Sequence, residues 1–308
     1  MASGASGAQT TSRFTMTAPD FFEDNHRKIE AALERLLPPS EAQPPTIHQA
    51  MRYSVFAGGK RLRPMLCLEA SRIFSADVSA ALDAGCALEF IHTYSLIHDD
   101  LPALDNDDLR RGKPTCHKKF NEATAILAGD ALLTLAFETL SKLNLDPARC
   151  VHVIREVAGA AGTRDGMVGG QVADIEAERK PVTAEMLSYI HRSKTAALIR
   201  GSVVAGAICG GANQEDVERL RRFGDNIGWA FQVVDDILDV EESSAALGKT
   251  AGKDQAQQKA TYPALFGLPK SHEFAKELAN RALGELHPYG DRAARLCELA
   301  EFLVLRRA

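Results

Sequence analysis

Residues 89–115 read EFIHTYSLIHDDLPALDNDDLRRGKPT. The part before the acidic residues continues an apolar segment, Ser79–His98, which has small polar insertions and no strand-like alternation. The same pattern recurs in three later segments, Ala123–Leu143, Ala184–Cys209 and Glu215–Val240. Each segment is far longer than an ordinary strand, and helices that are apolar on most faces belong inside a bundle. The sequence therefore predicts an all-α fold.

The sequence contains few signals that would interrupt the helices or separate domains. Four prolines between residues 38 and 45 separate a first helix, at about Phe21–Leu37, from the rest. No low-complexity linker and no convincing β-hairpin signal follow. We expect one domain over residues 16–308, a single large bundle of antiparallel helices around a central cavity. Residues 1–15 are rich in Ser, Gly, Ala and Thr, and we interpret them as an expression scar or a disordered N-terminus.

The bulk composition excludes several function classes. The 308 residues carry 36 Lys plus Arg against 41 Asp plus Glu, a formal net charge of −5, so no general attraction to nucleic acid or anionic membrane is expected. The six cysteines form no C-x-x-C pair and have no zinc-like spacing with histidine. No uninterrupted apolar run is long enough to span a bilayer, and no secretory signal is evident. These features favour a cytoplasmic protein.

The acidic residues Asp235, Asp236 and Asp239 lie in an otherwise apolar helical segment. Because a helix turns about 100° per residue, Asp235 and Asp239 are only about 40° apart, one above the other. A solvated acidic patch is a poor explanation, since carboxylates in apolar surroundings need cations. Hard oxygen ligands without Cys or His indicate Mg²⁺.

A second acidic cluster comprises Asp99, Asp100 and Asp105. In an unbroken helix Asp105 would lie about 240° from Asp99, away from the shared face. Pro102 removes a backbone donor and ends or kinks the helix. We therefore expect the chain to bulge and bring Asp105 back toward the metal.

Cationic residues occur in several separate places. Lys60, Arg61 and Arg63 follow a glycine pair, which permits close approach to a diphosphate. The others are Arg110, Arg111, Lys194, Lys249 and Lys259, the last two in a Gly/Lys/Gln-rich stretch that resembles a lid. Acidic residues hold metal, and metal and cations hold phosphate. The pattern suggests two phosphorylated substrates, or one contacted from both sides.

These motifs together resemble the short-chain trans-prenyl diphosphate synthases of the polyprenyl synthetase family, in particular bacterial farnesyl and plant-type geranylgeranyl diphosphate synthases. The resemblance covers Phe21–Arg307 and rests on GGKRLRP, the stretch quoted above, GGQ, KT, FQVVDDILD and GKTAGKD, in that order. It implies the all-helical isoprenoid synthase fold around an active-site cavity. It also implies a Mg²⁺-dependent homodimer that joins isopentenyl diphosphate head to tail to dimethylallyl and geranyl diphosphate.

The resemblance assigns a role to each matching position. Mg²⁺ would be bound by Asp99, Asp100, Asp105, Asp235, Asp236 and Asp239. Isopentenyl diphosphate would be held by Lys60, Arg63, His92 and Arg111. The allylic diphosphate would be contacted by Arg110, Lys194, Lys249 and Lys259, with Gln171, Thr195 and Gln232 lining the reacting carbons. Lys194, Thr195 and Gln232 would stabilise the allylic cation, and the released diphosphate would take the proton.

Product length should depend on Tyr94 and Ser95, which precede Asp99 by five and four residues. Five helical residues correspond to about 7.5 Å of depth, so a tyrosine there can form a floor beneath the growing chain. In the resembling family an aromatic at this position accompanies the fifteen-carbon product. The sequence thus predicts a farnesyl diphosphate synthase, with geranylgeranyl and geranyl synthases as alternatives. An ordinary core tyrosine also fits the pattern, and the two roles are compatible with each other.

Three other protein classes fit less well. A terpene cyclase should lack the second Asp-rich motif, and a head-to-head synthase should space its acidic residues differently. A regulatory subunit of a heteromeric synthase is the non-enzyme alternative, and it should have lost aspartates from one cluster. Both clusters are complete here. The roles of Arg306 and Arg307 at the end of the chain stay open.

Overall fold

The computed structural model describes residues 21–178, 180–246 and 261–305, and these are almost entirely helical. The helices are α1 Phe21–Leu36, α2 Pro45–Val55, α3 Leu62–Arg72, α4 Ser79–Asp99, α5 Cys116–Lys119, α6 Glu122–Ser141, α7 Pro147–Ala161, α8 Met167–Ala177, α9 Ala184–Ile190, α10 Ala197–Gly210, α11 Gln214–Ala246, α12 Tyr262–Phe266, α13 Leu268–Leu286 and α14 Ala294–Leu305. A π-helix, His191–Ala196, joins α9 to α10, and a 3-10 helix, His287–Ala293, joins α13 to α14. The all-α prediction is confirmed.

Local capping chemistry explains where several helices begin. The Asn121 side chain accepts a hydrogen bond from the Thr124 amide at 2.8 Å, at the start of α6. Asp146 accepts one from the Arg149 amide at 3.1 Å, and Pro147 occupies the first turn of α7. Such caps satisfy amides that have no partner within the helix.

The centre of the bundle is α10, which packs against α3, α4, α7 and α11. Residues from Ala197 to Cys209 are buried with the single exception of Arg200. A Cβ on Gly206 would lie only 2.1 Å from the Cys67 carbonyl oxygen, so the glycine lets α3 and α10 approach closely. The six cysteines are free thiols, as expected for apolar packing residues.

One short β-hairpin interrupts the helical pattern. Leu109–Arg110 pairs antiparallel with Lys113–Pro114, and the residues between them, Arg111 and Gly112, have φ values of 54° and 74°. Two central residues in the left-handed region correspond to the tight hairpin turn that matches strand twist. The expectation of no hairpin was wrong, because two-residue strands are too short to show alternation.

Helix α6 is long and apolar enough to cross a membrane by length and composition alone. It packs against α4, α2 and α7 within the bundle. Charged residues at Asp130 and Glu138 interrupt its apolar sequence. Its outer face nevertheless exposes Ile126 and Leu127, which are 45% and 58% accessible.

Candidate active site

The acidic end of α4 folds back on itself as the sequence predicts. The Asp105 amide donates a hydrogen bond to the Asp99 carbonyl at 2.9 Å, and the Asn106 amide donates to the Leu101 carbonyl at 3.1 Å. The helix itself ends at Asp99. The loop after Pro102 therefore returns Asp105 to the end of α4.

The carboxylate of Asp99 is held in a low-dielectric environment. Burial raises the pKa of Asp99, and the neighbouring Asp105 and Asp100 add to this rise. Lys194 and Arg110 oppose it. The raised pKa of Asp99 is therefore mainly an effect of burial, which disfavours its charged form, and a bound cation would favour that form.

Asp100 is paired with Arg110 across the loop. The Arg110 Nε lies 2.9 Å from both carboxylate oxygens of Asp100, and Nη2 lies 2.6 Å from Oδ1. Asp100 is 3% exposed, and burial raises its pKa against the lowering effect of Arg110. The structure thus joins a predicted metal ligand to a predicted diphosphate ligand, so that Asp100 orients the Arg110 guanidinium.

On α11, Asp236 is contacted by three protein groups. Its Oδ1 accepts from Gln232 Nε2 at 3.1 Å, and its Oδ2 accepts from the Tyr262 amide at 2.8 Å. The His191 Nε2 lies 3.3 Å from the same Oδ2. Asp235 is half-buried and Asp239 is exposed, one turn apart on the helix. Both oxygens of Asp236 are therefore engaged by protein groups.

The donor set suits a hard divalent cation. Within the described ranges, no group of three or more His, Cys, Asp or Glu side chains converges around a single point. A magnesium ion usually takes one or two carboxylates and completes its shell with water and substrate phosphate oxygens. Carboxylate oxygens at Asp99, Asp105 and Asp235 fit that requirement.

The π-helix carries Lys194 and Thr195 to the same region. Lys194 Nζ donates to Asp174 Oδ2 at 2.6 Å, and Thr195 Oγ1 donates to Gln232 Oε1 at 2.7 Å. π-helical turns inside helices occur frequently at functional sites. The hydrogen bonds continue from Thr195 through Gln232 to Asp236, so the Lys-Thr motif and the second acidic motif form one network.

The glycine pair before Gln171 has a direct structural purpose. A Cβ on Gly170 would lie 2.2 Å from the Lys194 amide nitrogen. The absence of a side chain therefore lets α8 pack against the backbone of the π-helix. Gln171 follows directly and is half-buried.

A second, electropositive group lies beside the first cluster. Burial lowers the pKa of His92 well below its usual value, and Arg63 and Arg111 add to the effect. A Cβ on Gly59 would lie 2.7 Å from Arg111 Nη1. The Arg111 guanidinium therefore packs against the Gly59 backbone. The Arg63 Nε is buried and has no hydrogen-bond partner among the described atoms.

His92 and Arg111 face a cavity between α2, α4 and the hairpin, and Arg63 lies close enough to act electrostatically on His92. Its lining residues include His92, Asp100, Arg110, Arg111 and Thr115. Converging cations with an unpaired buried donor are characteristic of an anion site. Two predicted isopentenyl diphosphate ligands, His92 and Arg111, thus line one cavity with Asp100 of the first acidic motif.

The third cation of the GGKRLRP motif has a different environment. Arg61 is 3% exposed and donates to Glu30 at 2.7 Å, to Glu89 at 2.9 Å and to the Val55 carbonyl at 2.7 Å. It therefore ties α1, α2 and α4 together beneath the electropositive group. Spacing alone could not separate this structural arginine from Arg63.

Other predicted positions have simpler surroundings. Tyr94 is 8% exposed, and the half-buried Ser95 donates to the His92 carbonyl at 2.8 Å. Lys60 precedes Arg61 and is exposed. Lys249, Lys259, Arg306 and Arg307 lie outside the described residues.

Two supporting residues were missed by sequence reasoning. Asp174 anchors Lys194, and His191 contacts Asp236. Asp174 lies one helical turn after Gln171 and His191 lies three residues before Lys194, so their proximity to known motifs was the available signal.

Comparison with known proteins identifies the family. The polyprenyl synthetase family model matches residues 44–296. The chain belongs to the polyprenyl synthetase family. As a family member it is a prenyltransferase of the prenyl diphosphate synthase type.

Two curated polyprenyl synthetases illustrate the similarity. The chain is 51% identical over 287 residues to the heterodimeric geranylgeranyl pyrophosphate synthase large subunit 1, chloroplastic, of Arabidopsis thaliana, covering 91% of this chain and 76% of that protein. It is 54% identical over 268 residues to the chloroplastic geranylgeranyl pyrophosphate synthase of Capsicum annuum, covering 86% and 72%.

A solved structure confirms the polyprenyl synthetase fold. The apo FPP/GFPP synthase from Zymomonas mobilis matches with a TM-score of 0.83 and 40% identity, covering 92% of this chain and 98% of that chain. The family assignment is thus confirmed. The narrower assignment to bacterial farnesyl diphosphate synthases is not, since plant geranylgeranyl synthases are prominent among the curated relatives.

Proposed function

We propose that this prenyltransferase uses Mg²⁺ to add isopentenyl diphosphate head to tail to an allylic diphosphate, and that its product is geranylgeranyl diphosphate. The observation that carries the proposal is that two subsites of opposite charge lie next to each other. The cations Arg63 and Arg111, together with the uncharged imidazole of His92, lie beside the first acidic motif, where Arg110 pairs with Asp100.

The cationic group is the proposed site for isopentenyl diphosphate. Arg63 offers a buried Nε without a protein acceptor, and Arg111 is seated against Gly59. The depressed pKa keeps His92 neutral near pH 7, where its imidazole still donates a hydrogen bond to phosphate. Lys60, at the edge of the same motif, is the remaining proposed contact.

The allylic diphosphate is proposed to lie between the two acidic motifs. Mg²⁺ held by Asp99, Asp105 and Asp235 would neutralise charge on the leaving diphosphate. Arg110 and Lys194 are oriented by Asp100 and Asp174 to contact the same group. Lys249 and Lys259 remain proposed contacts of this diphosphate.

The network from Thr195 to Asp236 is proposed to face the reacting carbons, together with Gln171. Asp236 accepts a hydrogen bond from Gln232 Nε2, and Gln232 Oε1 accepts one from the Thr195 hydroxyl. Oriented oxygen dipoles stabilise positive charge that develops on the allyl group. The C–O bond to the allylic diphosphate breaks, the alkene of isopentenyl diphosphate attacks the allylic carbon, and the proton lost from the adjacent carbon passes to the released diphosphate.

Two observations point to different product lengths. The identity of 51% and 54% to plant geranylgeranyl synthases supports a twenty-carbon product. The buried ring of Tyr94 and the similarity to the Zymomonas FPP/GFPP synthase favour farnesyl diphosphate as the second candidate. We place the geranylgeranyl product first because the sequence identity to the plant geranylgeranyl synthases, 51% and 54%, is higher than the 40% identity to the Zymomonas enzyme.

The test is a direct assay of chain elongation. The pure protein is incubated with Mg²⁺, radiolabelled isopentenyl diphosphate and dimethylallyl, geranyl or farnesyl diphosphate, and the dephosphorylated products are separated by length. We expect a twenty-carbon product that disappears with EDTA. A fifteen-carbon limit would replace the product assignment, and no condensation from any starter would overturn the enzymatic function in favour of a regulatory subunit.

We also propose a homodimer assembled through the outer face of α6. Ile126 and Leu127 expose apolar area on a helix whose other face packs in the bundle. Light scattering with size-exclusion chromatography should give twice the mass of the chain. A monomer would contradict the proposal and would direct attention to a partner subunit, as the name of the Arabidopsis large subunit suggests for that protein.

A further inference from the structure

The Tyr94 ring is braced by a neighbour on its own helix. Tyr94 and His98 lie one turn apart on α4, with ring centroids separated by 5.8 Å at an interplanar angle of 75°. This is the edge-to-face geometry that aromatic rings prefer. His98 lies between Tyr94 and the end of the helix at Asp99.

His98 is in turn fixed to α6. Its Nε2 lies 3.0 Å from the Ile126 carbonyl oxygen. Because a carbonyl can only accept, this nitrogen carries the proton and the tautomer is defined. The ring therefore connects α4 to α6 through one directed hydrogen bond.

Gly129 makes room for this contact. A Cβ at Gly129 would lie 2.1 Å from His98 Nε2, 2.5 Å from Cδ2 and 2.8 Å from Cε1. Three ring atoms thus lie against the bare Cα of one residue. Any side chain there would displace the imidazole from the Ile126 carbonyl.

We propose that His98 and Gly129 are positioning residues that set product length by holding the Tyr94 ring in place. The inference rests on the proposed chain elongation and deepens it. A lone tyrosine can rotate when a growing chain presses on it. A ring braced by an imidazole that is hydrogen-bonded to α6 resists that rotation, so elongation stops at a defined length.

The experiment compares His98→Ala, Gly129→Ala and Tyr94→Ala in the elongation assay with geranyl and farnesyl starters. Removing the brace should raise the ratio of longer to shorter product by roughly 2- to 10-fold, the factor that corresponds to one aromatic pair. Gly129→Ala should act in the same direction. In the Tyr94→Ala background, His98→Ala should add nothing, because it acts through the tyrosine.

Matched controls separate this effect from general damage. His48 is another partly buried histidine whose ring, through Nδ1, lies 3.0 Å from a backbone carbonyl, that of Ala42. A Cβ at Gly159 meets no atom within 4 Å. His48→Ala and Gly159→Ala should leave the product ratio unchanged, and circular dichroism should show which variants fold.

The outcomes are distinguishable from failure of the proposed function. If the wild-type protein condenses nothing, the chain-elongation proposal fails. If it elongates and His98→Ala leaves the product ratio unchanged, the positioning role is overturned. A full His98→Ala effect in the absence of the Tyr94 ring would also overturn it, because the histidine would then act directly. His98→Ala deletes atoms without adding any, so it keeps the test available if Gly129→Ala does not fold.

Discussion

The close packing of α8 (Met167–Ala177) on the π-helix (His191–Ala196) predicts a large effect of one methyl group. In Gly170→Ala the new Cβ would meet the Lys194 nitrogen at 2.2 Å, the Lys194 Cα at 2.6 Å and the Ser193 carbonyl carbon at 2.8 Å. These are backbone atoms, so no rotamer change relieves the contact. An ordinary carbon contact is about 3.5 Å, so the two helices must separate by roughly 1 Å.

That displacement should affect activity more than stability. Overpacking typically costs about 1–3 kcal/mol, and replacing a helical glycine by alanine returns up to about 1 kcal/mol. The net loss in the free energy of unfolding should therefore be about 0–3 kcal/mol. Lys194 and Thr195 move with the π-helix, and a misplacement of about 1 Å near the reacting atoms can reduce turnover by roughly 100-fold.

The matched control is Gly159→Ala in α7 (Pro147–Ala161), where the new Cβ meets nothing within 4 Å. It should raise the free energy of unfolding by about 0.4–1 kcal/mol and leave turnover unchanged. Urea unfolding and steady-state elongation assays measure both quantities. Wild-type turnover in Gly170→Ala, at unchanged stability, would refute the idea that this contact positions Lys194.

Three further substitutions follow from the site. Asp236→Asn keeps the side-chain volume but replaces one acceptor oxygen by a donor, so either Gln232 or the Tyr262 amide loses its acceptor. We expect roughly 10-fold lower turnover and a loss of about 1–3 kcal/mol, read from product formation and thermal melting. Arg61→Leu leaves the buried Glu89 unpaired and should cost about 3–5 kcal/mol in urea unfolding. Asp99→Asn should abolish turnover yet raise the melting temperature in EDTA. Burial raises the pKa of Asp99 above its value in the unfolded chain, so the stability of the wild-type protein falls as pH rises through the folded pKa. The variant has no titrating carboxyl at this position and should not show that fall.

Most of the helical architecture follows from the sequence because long apolar segments without strand-like alternation form buried helices in a bundle. The segment Ser79–His98 is observed as Ser79–Asp99, and Glu215–Val240 lies within Gln214–Ala246. The π-helix was not predictable in this way. The segment Ala184–Cys209 has a continuous apolar pattern, and a change from i+4 to i+5 hydrogen bonding leaves it almost unaltered.

The electropositive group and the returning loop at Asp105 were also predictable, since glycines, cations and a proline in fixed order restrict the backbone. The partners of Asp236 were not, because they come from distant parts of the chain. The Tyr262 amide is 26 positions away, and His191 belongs to another helix. Spacing shows which carboxylates share a face, but it does not show which distant groups of the chain contact Asp236.

The same limit explains why product length is harder to predict than reaction class. The reaction requires residues that are close in sequence to the acidic motifs, whereas the depth of the cavity depends on how firmly a side chain is held. Tyr94 supplies a ring five residues before Asp99, but the chain length at which this ring stops elongation depends on how His98 holds it, and His98 depends on Gly129 in another helix. A relative with the same tyrosine and a looser brace would make a longer product. The identity of one residue therefore cannot set chain length alone, and the contact between α4 (Ser79–Asp99) and α6 (Glu122–Ser141) should be compared before products are assigned.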